Sequence, residues 1–211
     1  VLEYPNNKYS EDAMLMGAEM AYTAKDYEKA LHIYKQLKDK AASMERRQLA
    51  KTGMLRSAHM LGNEEEIIFA ATDLLADTKL APELSNEAHY YRAKAYLDAG
   101  KTDGAMEDLK VLAKDTRNVY GAEAKYKVAQ IYFDGGQTDK AEQEVLNYIE
   151  VSTPHTYWLA RSFVLLADVY MKLGRNLDAK QYLLSLKQNY QADDDIAGMI
   201  ESRLEKLKTE N

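Results

Sequence analysis

Hydrophobic and polar positions recur with a helical period in short blocks, and five blocks of one layout follow each other along the chain. They are AYTAKDYEKALHIYKQL (21–37), AHMLGNEEEIIFAATDLL (58–75), AYLDAGKTDGAMEDLKVL (95–112), IYFDGGQTDKAEQEVLNYI (131–149) and VYMKLGRNLDAKQYLLSL (169–186). Each holds the end of one helix, a turn, and a second amphipathic helix. Gly62, Gly100, Gly136 and Gly174 mark the turns, and Lys25 stands in that place in the first block. Five residues after each turn comes Ala30, Ile67, Ala105, Ala141 or Ala179, at intervals of 37, 38, 36 and 38 residues. A repeat of that length is one supersecondary unit. Neither of its helices can bury an apolar face alone, so stacked neighbours must supply the core.

Local chemistry agrees with this layout. A glycine past the end of a helix can take positive φ and satisfy the last carbonyls. Asn63 with Glu66 forms a capping-box pattern, and Thr102-Asp103 and Thr138-Asp139 suit helix N-termini. The small residue after each turn predicts a close crossing of two helices. After the fifth block, Asp193-Asp194-Asp195 precedes the stripe Ile196, Met199, Ile200, Leu204 and Leu207, with Lys206 and Lys208 near its end. This predicts a terminal helix that closes the last repeat.

The pattern resembles the tetratricopeptide repeat family along nearly the whole chain. Its small residue, Tyr, Gly and Ala are carried by Ala129, Tyr132, Gly136 and Ala141, by Ala93, Tyr96, Gly100 and Ala105, and by Ala167, Tyr170, Gly174 and Ala179. The first copy keeps Ala18, Tyr27 and Ala30, with Ala21 in place of the first Tyr. The second copy departs most, with Leu55 for the small residue and Ile67 for the alanine. The resemblance implies an all-α fold: a right-handed α-solenoid of about five helix-turn-helix repeats plus a C-terminal capping helix. The expected organisation is one solenoid domain over 1–211, with repeats at 10–42, 45–80, 84–116, 119–151 and 155–190 and the capping helix at 193–209. The opening Leu2-Glu3-Tyr4-Pro5-Asn6-Asn7-Lys8-Tyr9, with Glu11 and Ala13, resembles junctions between repeats of bacterial cell-envelope proteins. It predicts that the chain is a fragment and that further repeats precede residue 1. Residues 153–161 resemble the end of long repeat arrays of Bacteroidetes-type bacteria. These likenesses imply the periplasm or cell envelope, with the cytoplasm as the alternative.

Composition narrows the function classes. Hydrophobic residues at 46% and charged residues at 29%, with only three prolines, are the balance of an ordinary folded chain. A net charge of −6, with no run of five or more Lys and Arg, argues against nucleic acid as partner. The absence of cysteine removes disulfide and thiol chemistry, and no apolar stretch reaches the roughly 20 residues of a membrane span. Sixteen tyrosines against three phenylalanines favour surfaces half in and half out of a core.

Motifs for catalysis fail on inspection. Ala95–Thr102 comes within one residue of a phosphate-binding loop, but the first glycine is missing and no strand precedes it. His32, His59, His89 and His155 lack metal-ligand spacing, and no serine sits in a nucleophile elbow. The reading is therefore a non-enzymatic scaffold with no cofactor and no metal.

In the resembled family the first helices of successive repeats line the concave face, which implies where a partner would bind. On the fourth copy Tyr126, Gln130 and Phe133 share one helix face at spacing i, i+4, i+7. Tyr90, Lys94 and Leu97 are their equivalents in the third copy, Thr52, Arg56 and His59 in the second, Leu15, Glu19 and Tyr22 in the first, and Val164, Asp168 and Met171 in the fifth. The expected partner-binding set is Tyr90, Lys94, Tyr126, Gln130, Phe133, Arg56, His59 and Tyr22, facing a protein or peptide. The alternative is that these side chains pack against neighbouring repeats, in a structural or self-associating segment of a longer array. A clamp for peptide carboxylates is not expected, because Tyr90, Lys94, Tyr126 and Gln130 occupy the places where the family uses Lys and Asn.

Overall fold

The structure is a computed structural model that describes residues 8–209, so the repeat-junction likeness at residues 2–7 lies outside the described residues. Eleven helices and no strand occur among them: α1 (Lys8–Thr23), α2 (Tyr27–Lys40), α3 (Met44–Leu61), α4 (Glu64–Leu75), α5 (Pro82–Asp98), α6 (Thr102–Leu112), α7 (Val119–Asp134), α8 (Thr138–Ile149), α9 (Thr156–Lys172), α10 (Asn176–Asn189) and α11 (Ile196–Thr209). They form five helix-turn-helix pairs and a terminal helix.

The turns behave as the sequence requires. Gly62, Gly100, Gly136 and Gly174 have φ of 65°, 71°, 73° and 72°, and Lys25 takes φ 61° at the same point of the first pair. Lys25 is tolerated there because the amide of Asp26 still reaches the Ala21 carbonyl, closing the helix end. Asp26 then caps α2 by accepting from the Lys29 amide, and Asn63 caps α4 by accepting from the Glu66 amide.

The chain divides into two compact units, Val1–Asp108 and Leu109–Asn211. In the first, α1 to α5 pack in sequence, and Ala18, Leu31, Tyr34, Leu55, Ala58 and Ile67 meet in its core. The divergent second pair is as regular as the others. Ile67 is buried where other copies keep alanine, and Lys51 reaches from α3 to the end of α4. There its ammonium donates to the Asp73 carbonyl at 2.8 Å and pairs with Asp77 at 2.7 Å. Gly53 admits the Tyr34 ring, since a Cβ on residue 53 would lie 2.4 Å from it.

In the second unit α7 to α10 form two further pairs around Val145, Leu165, Leu166 and Leu183. Helix α11 packs on α9 and α10 through Ile196, Ile200, Leu204 and Leu207, the stripe read from the sequence. The loops before α7 and α9 are tied together as well. The Thr153 hydroxyl donates to the Thr116 carbonyl at 2.8 Å, and the Thr116 hydroxyl to the Ser152 carbonyl.

Candidate functional site

The eight expected partner-binding residues divide between the units. Tyr22, Arg56, His59, Tyr90 and Lys94 lie in the first, and Tyr126, Gln130 and Phe133 in the second.

In the first unit, the α1 and α3 faces border a cleft of about 230 Å³. Leu15, Glu19 and Tyr22 come from α1, Thr52 and Arg56 from α3, and Tyr34 from α2. Of the expected set Tyr22 and Arg56 meet in this cleft, whereas His59, Tyr90 and Lys94 are not part of its lining, and Tyr34 is an addition. Tyr34 sits on the second helix of its repeat and enters the cleft because Gly53 leaves it room. Tyr22 is half-buried and packs edge-on against Tyr27, with ring centroids 5.2 Å apart. Burial first, then the Tyr27 hydroxyl, pushes the Tyr22 hydroxyl's pKa up; Arg56 opposes this and Glu87 adds to it.

Arg56 is exposed, but its guanidinium is engaged. Nε donates to Glu87 Oε1 at 2.7 Å and Nη2 to Oε2 at 2.8 Å, which binds α3 to α5. His59, one turn further on, stacks on Tyr91 of α5 with centroids 3.9 Å apart and planes 15° apart. Burial, and then the charge of Lys94, holds the His59 imidazole below its ordinary pKa, with Glu87 opposing. Tyr90 is half-buried, 5.9 Å from Tyr91, and Lys94 is exposed.

In the second unit Tyr126, expected in the partner-binding set with packing against a neighbouring repeat as the alternative, has the packed arrangement. It is 6% exposed and belongs to the core. Its hydroxyl donates to Gln130 Oε1 at 2.8 Å and accepts from Arg161 at 3.3 Å, and the Gln130 amide donates on to Asp134 at 2.8 Å. The ring packs beside Trp158 at 5.7 Å, under the Arg161 guanidinium at 5.1 Å. The reason is positional: α9 lays Trp158 and Arg161 over the α7 face, so an aromatic ring at 126 is covered by the next repeat. Phe133 is half-buried, with Lys172 5.1 Å from its ring centre.

The fifth-copy face is also covered. Val164 is buried, and both Asp168 carboxylate oxygens accept from Arg203 of α11, at 2.8 and 2.7 Å. Arg161, Trp158 and Tyr157 were missed by the sequence reading. They lie one to two turns upstream of Val164, and extending the same spacing backward along α9 reaches Tyr157 and Arg161.

Each histidine has a local partner: His32 meets Gln36, His155 the Arg117 carbonyl, and His89 Asp108. Among the described residues the His89–Asp108 contact, at 2.7 Å, pairs a histidine with a carboxylate. Asp108 is buried, however, and Arg92 takes both its oxygens at 2.8 Å. Burial alone would raise this carboxyl's pKa, but the bonds from Arg92 and His89 outweigh it and hold the group below the usual carboxylate range. The cluster ties α5 to α6. Among the described residues no group of three or more His, Cys, Asp or Glu side chains could hold a metal ion, and no helix is long and apolar enough to cross a membrane.

Family models for the tetratricopeptide repeat match residues 87–115 and 160–188. No curated protein matches the chain in sequence. Among solved structures it is similar to the MamA protein, at 17% identity and a TM-score of 0.65, covering 84% of this chain and 90% of that one. It is also similar to BtubC of P. vanneervenii, at 13% identity, TM-score 0.57 and coverage of 88% and 84%. A thermophilic TPR protein of Thermus thermophilus aligns at 18% identity and TM-score 0.50, covering 92% and 98%. At these identities the likeness is one of fold.

Proposed function

Because the chain is a tetratricopeptide-repeat protein, we propose that it is a non-enzymatic scaffold that binds a peptide or partner protein along the face of its first helices. Repeats of this family generally mediate protein–protein interaction. The observation that supports this placement is the open cleft between α1 and α3, where Tyr22, Arg56 and the α1 residues Leu15 and Glu19 meet. Half-buried aromatics beside charged groups are the usual anchors of such surfaces. Tyr126, buried at 6% exposure, is left out of the proposed surface.

Selection from a random-peptide display library tests the reading. Peptides should emerge whose binding falls at least tenfold with Tyr22→Ala plus Lys94→Glu while far-UV circular dichroism shows the helical fold retained. Peptides that bind both proteins equally would overturn it.

A second reading, self-association, is favoured by Met16 and Met20, which stand 63% and 70% exposed on α1. Light scattering decides this, since a stable dimer that Met16→Gln with Met20→Gln dissociates would support it. We assign the protein to the periplasm or cell envelope of a bacterium on the resemblance of residues 2–13. Recovery in the cytoplasmic fraction would overturn that assignment.

A further inference from the structure

We propose that the cleft between α1 and α3 receives one cationic side chain, Lys or Arg, of a bound peptide, with Glu19 as its counter-ion. This rests on the first-helix face being the binding surface, and it names the residue class that face selects.

Charge complementarity carries the argument. Glu19 is exposed at the edge of the cleft and has no ion pair or hydrogen bond among the described residues. The other charged residue of the lining, Arg56, is neutralised by its two bonds to Glu87. The cleft is therefore left with one uncompensated carboxylate. It lines the cleft together with Tyr34, whose hydroxyl is pushed up first by burial and then by the Glu19 charge. A peptide carboxylate would meet the unpaired Glu19 charge, so the site disfavours acidic segments.

The walls suit the stem of such a side chain. Leu15 and Leu49 offer aliphatic surface to methylenes, and the Tyr22 and Tyr34 rings can lie beside the cationic head. A volume of about 230 Å³ is below the roughly 300–1,000 Å³ typical of small-molecule pockets. It accommodates a single long side chain and not a cofactor.

The test uses the whole chain and two probes, Ac-Ala-Lys-Ala-NH2 and its norleucine counterpart, followed by amide chemical shifts. The lysine peptide should shift Leu15, Glu19, Thr52 and Gly53, and the norleucine peptide should bind about fivefold more weakly, the size of an exposed ion pair. Glu19→Gln should weaken the lysine peptide by the same factor and leave the norleucine peptide unchanged, with the remaining spectrum superposable. Equal binding of the two peptides, no shifts in the cleft, or indifference to Glu19→Gln would each overturn the proposal. The two readings fail separately. Display-selected peptides that need Tyr22 but show no Lys or Arg preference would sink this inference alone, whereas the absence of any face-dependent peptide would sink the broader one.

Discussion

The Arg56 guanidinium engages both carboxylate oxygens of Glu87, at 2.7 and 2.8 Å, across 31 residues of sequence. That separation is close to one repeat, and it recurs. Lys35 pairs with Glu66 at the same separation, Arg46 with Asp12 at 34, Arg175 with Glu142 at 33, and Arg203 with Asp168 at 35. Charged side chains of one repeat thus clasp the next, within each unit. An arginine that reads as a partner contact in sequence is, in the fold, also a stacking contact.

The clasp has a modest expected energy, because Arg56 is 47% exposed while Glu87 is 13% exposed. Urea unfolding of Arg56→Ala, Glu87→Ala and the double variant should return a coupling of at most about 1 kcal/mol. A coupling indistinguishable from zero would mean that Arg56 is free to serve a partner.

His59 and Lys94 set a pH dependence. The folded pKa of His59 lies below its ordinary value of 6.5, through burial and then the Lys94 charge. As pH falls, the unfolded chain takes the proton first, so this contribution to stability is present above about pH 6.5 and is lost as pH drops through the folded pKa. His59→Phe should flatten that part of the stability profile between about pH 7 and 5. Lys94→Ala should move the His59 titration, followed by NMR, upward; an unmoved titration would refute the coupling.

Gly53 of α3 lies directly against the Tyr34 ring of α2. A methyl group 2.4 Å from the Tyr34 ring cannot be accommodated without moving the ring, so Gly53→Ala should cost about 1–3 kcal/mol by thermal or urea unfolding. Adding Tyr34→Leu should recover part of that loss. If the double variant is no better than Gly53→Ala, the clash is not the cause.

Helix α11 seals the α9 face. Ile200 is 2% exposed, and Ile200→Ala should destabilise the protein by about 2–5 kcal/mol. Asp168→Asn removes the carboxylate paired with Arg203 and should loosen the same helix, read as faster amide exchange over residues 196–209 than in α7. Exchange unchanged in α11 would argue against the clasp holding it.

Periodicity alone determined the helix count per repeat, the turns and the small or apolar residues that follow them. Those are local events: a left-handed residue ends a helix, a side-chain oxygen starts the next, and the apolar stripe shows which face must be covered. Gly62, Asn63 and the stripe from Ile196 to Leu207 were legible for that reason. Which side chains on the first helices remain available to a partner was not legible, because it depends on what the following repeat lays over them. Tyr90 and Tyr126 occupy equivalent positions in sequence. Yet Tyr126 is covered by Trp158 and Arg161 from a helix about 35 residues away, and Tyr34 reaches the α1–α3 cleft only because α3 presents a glycine to it. Spacing assigns a residue to a face. Only packing between repeats, a contact across 30 to 40 residues, decides whether that face still meets solvent.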